Sequence, residues 1–267
     1  MNLVFYTVFF DKNYIKVVDL SLKSLTLQGH YKDDILFITS EEFKPLLQQL
    51  SVLRFFNNVK FLIIEPRTID QTFYGSYNKL QIYRFTEIDQ YSNILFLDSD
   101  MLICNDVNTL FGLIERNPQD VHVSSEAGSL ITSLDHGGGY LTPEERKYVI
   151  DNSVTTMNGG FFGFTPQRIS FFKRTVDHVE DEISNKRLYR HACLEQPFFN
   201  INLFRDGHYC HDFTKLINHD GARNNQNILD LKQKGIIVVH YCGGIGDPNG
   251  KYSCMVNDFN RLIKTNG

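Results

Sequence analysis

Two aspartates stand one residue apart in the segment ILFLDSDMLI (94–103), where an apolar run is interrupted and then resumes. Side chains two positions apart in an extended chain fall on the same side, so the carboxylates of Asp98 and Asp100 can face one object. Two like charges held together raise each other's pKa unless a cation neutralises them. The pair therefore predicts a divalent metal site, although Asp-x-Asp is also common in turns.

A histidine at the end of a second apolar run offers a third ligand. His240 closes GIIVVH (235–240) and precedes a glycine-rich turn whose backbone amides can approach phosphate oxygens closely. Oxygen ligands suit Mg²⁺ or Mn²⁺, and an imidazole nitrogen favours Mn²⁺. We expect Asp98, Asp100 and His240 to bind Mn²⁺, or Mg²⁺ in its place.

The elements that must position these residues alternate along the first half of the chain. Strand-like runs cover 3–10, 35–40 and 60–65, and a fourth strand ends at the two acids; helical patterns begin near 13 and 41 and extend over about 76–89. This alternation predicts an α/β fold with a mostly parallel central sheet flanked by helices. Ligands of such sheets bind beyond the carboxyl ends of the strands, which is where the acids lie.

The second half is less regular. Strands are predicted at 121–126 and 155–164, the latter broken by Gly159 and Gly160. Thr142 to Glu145 fits a capping box with proline at the first helical position, and a long amphipathic helix follows Pro166. We find no internal repeat and no linker, so residues 1–267 are expected to form a single domain.

Composition excludes several classes of partner and site. The chain has 267 residues, 42% hydrophobic, and a net charge of -4, which suits a large core and gives no reason to expect nucleic acid or an acidic membrane as partner. No segment approaches the roughly 20 apolar residues of a transmembrane helix. Five cysteines without a Cys-x-x-Cys pair argue against a disulfide framework or a structural zinc site. A reducing, cytoplasmic location is the expectation.

Six segments in this order resemble the glycosyltransferases of the GT-A fold, most closely glycosyltransferase family 8 and the glycogenin-like enzymes. They are FYTVFFDKNYIKVVDLSLKSL (5–25), YNKLQIYRF (77–85), ILFLDSDMLI (94–103), TTMNGGFFGF (155–164), LEQPFFNIN (194–202) and VVHYCGGIGDPNGKYSCM (238–255). The resemblance implies a single GT-A domain with a nucleotide-binding half (1–126) and an acceptor-binding, catalytic half (127–267). It implies a retaining transfer of sugar from a nucleotide donor, preferably a UDP-sugar, to a glycan, protein or lipid.

The resemblance also implies roles for individual residues. Asp98, Asp100 and His240 match its metal ligands. The residues that match donor-binding positions are Thr7, Tyr14, Lys79, Arg84, Ser99, Gly159, Gly243 and Lys251. The residues that match catalytic positions beside the sugar are Asn158, Glu195 and Gln196. The chain departs from the family in lacking tryptophan, in placing Lys251 late, and in having Glu195 where aspartate is usual.

Gln196 cannot ionise, but its carbonyl oxygen can face the positive charge that develops on the sugar in an oxocarbenium-like transition state. This favours front-side displacement with retention, and Glu195 as a nucleophile is the alternative. Plainer interpretations also exist. Glu195 and Gln196 before Pro197 fit a helix start, Asn158-Gly159 fits a hairpin turn, and Lys79 and Arg84 fit a solvated helix face.

Two other functions compete with sugar transfer. A haloacid-dehalogenase-like phosphatase also places two aspartates at a strand end and uses Mg²⁺, but its motif expects threonine or valine where this chain has Leu102. The other is a protein of the same fold that binds a sugar nucleotide without turnover. Release of free UDP, or its absence after UDP binding, distinguishes this second alternative.

Overall fold

The computed structural model describes residues 1–65, 67, 71–130, 136–185, 194–219, 227–242 and 248–264. The elements of the first half are β1 (Asn2–Val8), α1 (Asn13–Leu27), β2 (Asp34–Thr39), α2 (Lys44–Gln48), β3 (Val59–Ile63), α3 (Gln71–Tyr77) and β4 (Asn93–Leu97). Short 3₁₀ segments occur at Ser51–Phe55, Asn78–Arg84 and Ile88–Gln90. The predicted alternation of strands and helices is confirmed, with strand ends shifted by one or two residues.

The second half contains the remaining strands and helices. They are β5 (Met101–Ile103), α4 (Asn108–Arg116), β6 (Val121–Ser129), α5 (Pro143–Asp151), β7 (Thr155–Phe164), α6 (Ile169–Ser184), α7 (Gln196–Asp206), β8 (Tyr209–Cys210), β9 (Ile217–Asn218), α8 (Ile228–Gln233), β10 (Val238–His240) and α9 (Pro248–Lys264). The capping box predicted at Thr142 is confirmed, because its side chain accepts from the Glu145 N–H and the Glu145 side chain accepts from the Thr142 N–H.

Seven strands form the main sheet in the order β3-β2-β1-β4-β7-β6-β8. The strands β3, β2, β1 and β4 are parallel, β7 is antiparallel to both β4 and β6, and β8 is parallel to β6. The mostly parallel α/β fold is therefore confirmed. β5, β10 and β9 form a separate small sheet.

The main sheet is buried on both faces, as expected for parallel strands covered by helices. Along β4, Ile94 and Phe96 pack into one apolar cluster, whereas Leu95 and Leu97 pack into another on the opposite face. A third cluster joins the small sheet to α1 and α9 through residues such as Leu102. This third cluster fixes the strand that ends in His240, one of the predicted metal ligands.

Two expectations about local structure were wrong. Only the last two residues of α3 fall within the helix predicted over 76–89, and 3₁₀ segments follow at Asn78–Arg84 and Ile88–Gln90. Residues 78–82 are all buried, so this stretch lacks the exposed positions of an amphipathic α-helix. β7 runs unbroken through Gly159 and Gly160, and no hairpin turn forms at Asn158-Gly159. Both glycines are needed for close packing instead of a turn. Across the part of the chain that the structure describes, no helix combines the length and apolar character that a membrane span requires.

Candidate functional site

The two acids sit in the short turn between β4 and β5, and three strands hold that turn. The Asp98 N–H donates to the carbonyl of Gly160 on β7 (3.0 Å). The Ser99 hydroxyl donates to the carbonyl of Thr7 at the end of β1 (3.0 Å). The carbonyl of Asp100 accepts from the Tyr241 N–H (2.9 Å). The position of both carboxylates is therefore set by backbone contacts to distant parts of the chain.

His240 reaches the acids because β10 pairs with β5 in an antiparallel register that sets His240 opposite Met101. Its Nε2 lies 3.2 Å from Asp100 Oδ1 and 3.8 Å from Asp98 Oδ2. One ligand atom from each of the three residues lies within 4.8 Å of the others. Neighbouring ligands of a six-coordinate ion of this kind are about 3 Å apart. The imidazole and Asp100 already have that spacing, so the donor set fits Mn²⁺ or Mg²⁺ after a small movement of Asp98.

Gly160 leaves the space in which the acid and the imidazole meet. A Cβ atom at this position would lie 2.9 Å from His240 Cε1 and still closer to Asp98 Oδ2. The neighbouring Gly159 faces the other way along the strand, and a Cβ there would lie 3.2 Å from Glu195 Oε1. β7 thus places Gly160 against two of the predicted metal ligands and Gly159 against the predicted catalytic pair.

The pKa values of the two aspartates are shifted in opposite directions. Burial raises the pKa of Asp98 to about 6, against the opposing charge of Lys79. Burial would also raise the pKa of Asp100, but the charge and hydrogen bond of His240, together with Lys251, hold it well below its usual value. Lys251 Nζ, on α9, lies 2.5 Å from Asp100 Oδ2. The negative charge of Asp98 is therefore not fully compensated by its neighbours. A bound cation would stabilise that charge and lower the pKa of Asp98.

A buried ion pair connects the predicted metal ligands to the predicted catalytic residues. Lys79 Nζ lies 2.6 Å from Glu195 Oε1 and 3.9 Å from Asp98 Oδ1, and the side chains of Lys79 and Glu195 are each only 3% exposed. The second oxygen of Glu195, Oε2, is buried and has no hydrogen-bond partner among the described residues. Buried carboxylate oxygens are normally paired, so this atom is available to a ligand hydroxyl.

Glu126, on β6, holds the two amide side chains of the site. Its Oε2 accepts from Gln196 Nε2 (2.7 Å) and its Oε1 accepts from Asn158 Nδ2 (2.6 Å). Gln196 Nε2 also donates to the carbonyl of Met157 (2.7 Å). Burial would raise the pKa of Glu126, but hydrogen bonds from His136, Asn158 and Gln196 outweigh it and lower that pKa to about 2. The carboxylate is thus fixed in its charged form.

These contacts determine how the amides are oriented. Both N–H groups of the Gln196 amide are used on acceptors, which leaves its carbonyl oxygen as the end available to a ligand. Asn158 is held at both ends, since its Oδ1 also accepts from the Gly160 N–H (2.8 Å). Gln196 and Glu195 do begin α7, with Pro197 in its first turn, so the helix-start interpretation holds as well.

The structure brings most of the predicted residues together. The residues joined by direct contacts at this edge of the sheet are Thr7, Lys79, Asp98, Ser99, Asp100, Asn158, Gly159, Glu195, Gln196, His240 and Lys251. Tyr14 is near enough for Lys251 and both aspartates to influence its hydroxyl, whose pKa is raised mainly by burial. Arg84 is exposed at the end of its 3₁₀ segment, and no hydrogen bond or ion pair joins it to another described residue. Gly243 lies outside the described residues.

Sequence reasoning missed Glu126 and the particular role of Gly160. Glu126 ends the predicted strand VHVSSE, so an acid at that position was visible, but nothing local indicates that it receives two amides from other segments. Gly160 was visible only as half of a glycine pair. Its role depends on how close β7 lies to the β4 turn and to β10, which is a tertiary property.

Several solved structures are similar to this chain over nearly its whole length. The galactosyltransferase LgtC, solved with donor and acceptor sugar analogues, matches with a TM-score of 0.64 at 16% identity and covers 99% of this chain and 96% of its own. Mouse xyloside xylosyltransferase 1 matches with a TM-score of 0.56 at 13% identity, over 93% of this chain and 100% of its own. The bifunctional glycosyltransferase WbbM matches with a TM-score of 0.60 at 13% identity, over 98% of this chain and 51% of its own.

No protein-family model and no curated protein sequence matches the chain. At identities this low, structural likeness identifies the fold and leaves substrate and reaction open. The chain therefore has the fold of the GT-A glycosyltransferases.

Proposed function

We propose that this protein is a metal-dependent, retaining glycosyltransferase of the family 8 type, which moves a sugar from a UDP-sugar to a glycan, protein or lipid acceptor. The observation that carries the proposal is the convergence of Asp98, Asp100 and His240 within 4.8 Å at the strand ends of a GT-A fold. Mn²⁺ is the favoured ion, because the set combines two carboxylates with one imidazole. The solved structures similar to the chain that are named above are all glycosyltransferases, which supports the same class of reaction.

The positive groups of the site suit a diphosphate leaving group. A bound Mn²⁺ supplies charge neutralisation at the leaving phosphate oxygens. Lys251 contributes a second positive charge, and its ammonium is already desolvated and only 11% exposed. Preorganised charges of this kind cost no reorganisation when negative charge develops. Thr7, Tyr14, Ser99 and Gly159 are proposed to line the donor nucleotide and sugar.

The residues at the sugar end suit a developing positive charge. Gln196 presents a carbonyl oxygen whose direction is set by the two hydrogen bonds of its amide nitrogen. Such an oxygen stabilises an oxocarbenium-like centre but cannot act as a base, which supports front-side displacement with retention. One of the similar solved structures is a variant of LgtC in which an active-site glutamine is replaced by glutamate, so a glutamine is placed at the active site of that enzyme.

Glu195 and Asn158 are proposed to have supporting roles. Lys79 occupies one oxygen of Glu195, and the other oxygen is buried without a partner, so it is suited to accept a hydroxyl of the donor sugar. Asn158 is tied to Glu126 and to the Gly160 N–H, which makes it a positioning residue. These assignments separate sugar recognition by Glu195 from charge stabilisation by Gln196.

Release of UDP from a panel of UDP-sugars tests the proposal. The full chain is treated with EDTA, dialysed, and assayed with and without Mn²⁺. We expect UDP release with at least one sugar only when Mn²⁺ is present, and at least a hundredfold loss in Asp98→Asn and in Asp100→Asn. Asp177→Asn is the matched control, because that acid is 58% exposed on α6 and pairs only with Lys173 among the described residues.

Two results would redirect the assignment. Mn²⁺-dependent binding of UDP without release from any sugar in the panel would favour a sugar-nucleotide-binding protein. Hydrolysis of a phosphomonoester that is lost in Asp98→Asn would favour the phosphatase, whose nucleophile is the first aspartate. UDP release that persists in EDTA at the full rate would contradict metal dependence itself.

A further inference from the structure

A second group of side chains able to bind a metal lies at the β8 edge of the main sheet. β8 is the edge strand, and its pairing with β6 sets Cys210 directly beside His122. Asp212 follows two positions after Cys210. The three ligand atoms, one from each residue, lie within 4.8 Å of one another. No part of the proposed sugar transfer uses these residues.

The histidine is oriented as metal-binding histidines usually are. His122 is fully buried, and its Nε2 lies 3.1 Å from the backbone carbonyl of Asn117. A carbonyl oxygen only accepts, so Nε2 must carry the hydrogen. In the neutral ring Nδ1 then carries the lone pair. A hydrogen bond from the remote nitrogen to a carbonyl is the common way of fixing the tautomer of a metal ligand.

The thiol of Cys210 and the carboxylate of Asp212 both lie close to the lone pair on His122 Nδ1. Cys210 Sγ lies 3.1 Å from His122 Nδ1, and Asp212 Oδ2 lies 3.6 Å from it. A nucleophilic cysteine relay needs the thiol and the carboxylate on different nitrogens of the ring, so this arrangement is not one. Convergence of sulfur, nitrogen and oxygen on one point is what a shared ion requires.

The distances suit zinc. With Zn–S of about 2.3 Å, Zn–N of about 2.05 Å and Zn–O of about 2.1 Å, tetrahedral geometry places sulfur and nitrogen about 3.6 Å apart and nitrogen and oxygen about 3.4 Å apart. The observed separations differ from these by about 0.5 Å and 0.2 Å. Shifts of this size are available to Cys210 and Asp212, which are both partly exposed.

The surroundings complete a site with one open position. Phe213 is fully buried, and its ring centroid lies 5.7 Å from that of His122, so it forms an apolar wall against the imidazole. The side chain of Asp212 is 34% exposed and provides the route to solvent. An ion here would have three protein ligands, and the exposed side of Asp212 would leave its fourth position to solvent.

We propose that His122, Cys210 and Asp212 form a zinc site that is separate from the Asp98, Asp100 and His240 site. This overturns the expectation of no zinc site, which considered only cysteines close together in sequence, whereas His122 and Cys210 meet through the pairing of β6 with β8. A thiolate selects Zn²⁺ over Mn²⁺ and Mg²⁺, which prefer oxygen. On binding, the Cys210 thiol loses its proton to solvent and the sulfur bonds to the ion. β8 pairs with β6 over only two residues, which alone gives little stability. A shared ion adds a cross-link between the two strands.

Cobalt(II) serves as the test probe because a bond between Co²⁺ and a thiolate gives a charge-transfer absorption band in the near ultraviolet, whereas carboxylate and imidazole ligands give none. The EDTA-treated full chain is titrated with Co²⁺ and then with Zn²⁺. We expect one equivalent of Co²⁺ to produce the band and Zn²⁺ to remove it. The band should be absent in Cys210→Ser and unchanged in Asp98→Asn.

Matched variants separate this site from other thiols and from misfolding. Cys242→Ser and Cys254→Ser should keep the band, since neither thiol belongs to the cluster. Asp212→Asn keeps the shape of a partly exposed side chain and should weaken Co²⁺ binding by at least about tenfold while the circular dichroism spectrum is retained. Absence of the band in the folded wild-type chain, its survival in Cys210→Ser, or unchanged affinity in Asp212→Asn would overturn the zinc site.

Discussion

Replacing Gly160 by alanine should disable the metal site while leaving the fold intact. The added Cβ would lie 2.9 Å from His240 Cε1, whereas ordinary contact begins at 3.4 Å, so the imidazole must move by about 0.5 Å. Asp98 Oδ2 lies closer to the added atom and must move further. Metal–ligand bonds tolerate errors of about 0.2 Å. Two of three ligands are therefore displaced beyond that tolerance.

The expected size of the effect follows from that displacement. Disturbing the support of metal ligands commonly costs about 10- to 100-fold in affinity, and here two ligands move, so we expect Mn²⁺ to bind about 100-fold more weakly, equivalent to about 2.7 kcal/mol. Overpacking should also lower the free energy of unfolding by about 1–3 kcal/mol. Isothermal titration of Mn²⁺ into the EDTA-treated chain measures the first quantity, and urea unfolding measures the second.

Gly159 and Gly112 provide controls. Gly159→Ala places its Cβ against Glu195 Oε1 and Gln196 Cγ, at 3.2 and 3.6 Å, so it should reduce UDP release while Mn²⁺ binds within about threefold of wild type. Gly112→Ala meets nothing within 4 Å on α4 and should stabilise the chain by about 0.5–1 kcal/mol. If Gly160→Ala binds Mn²⁺ as tightly as wild type does, the ion is not held between Asp98 and His240.

Three further predictions follow from buried charges. The pKa of Glu126 is lowered from 4.5 to about 2, so the charged carboxylate stabilises the fold fully above pH 4.5 and loses this effect as the pH falls. Between about pH 6 and pH 3 the wild type should therefore lose about 2 kcal/mol of unfolding free energy that Glu126→Gln does not lose. Urea unfolding at each pH measures the difference. Lys79→Met should cost about 3–5 kcal/mol by leaving Glu195 buried without its partner, and adding Glu195→Gln should recover much of that loss; equal stability of the single and double variants would contradict the ion pair. Lys251→Met removes the ammonium that pairs with Asp100 and competes with Mn²⁺ for its carboxylate, so Mn²⁺ affinity should rise by about tenfold. UDP release should fall in the same variant. Calorimetry that shows weaker Mn²⁺ binding would refute competition between Lys251 and the ion.

The fold and the convergence of Asp98, Asp100 and His240 could be predicted because both have local signals. Each strand of the first half is a short β-branched or aromatic run, and the two aspartates follow one of them directly. Parallel topology then brings the carboxyl ends of the strands to one edge, which places the acids without knowledge of tertiary contacts. His240 was identified for the same reason, because it also ends a strand.

The remaining features depend on contacts between distant segments. The 3₁₀ segment Asn78–Arg84 gives no amphipathic period, because residues 78–82 are buried on every side. Glu126 accepts hydrogen bonds from Gln196 and Asn158 only because folding brings α7 and β7 next to β6. Similarly, His122 and Cys210 are 88 residues apart, and only the pairing of β8 with β6 makes them neighbours.

The pairing of β5 with β10 has a consequence for the order of events during synthesis. Residues 101–103 emerge from the ribosome long before residues 238–240, which supply their partner strand. A nascent chain can form the early parallel strands and already carries Lys79 near Asp98, yet it has neither the His240 imidazole nor the Lys251 ammonium that pair with Asp100. The three proposed metal ligands are therefore complete only when the final segments dock, so we expect metal binding to begin after synthesis of the C-terminal part.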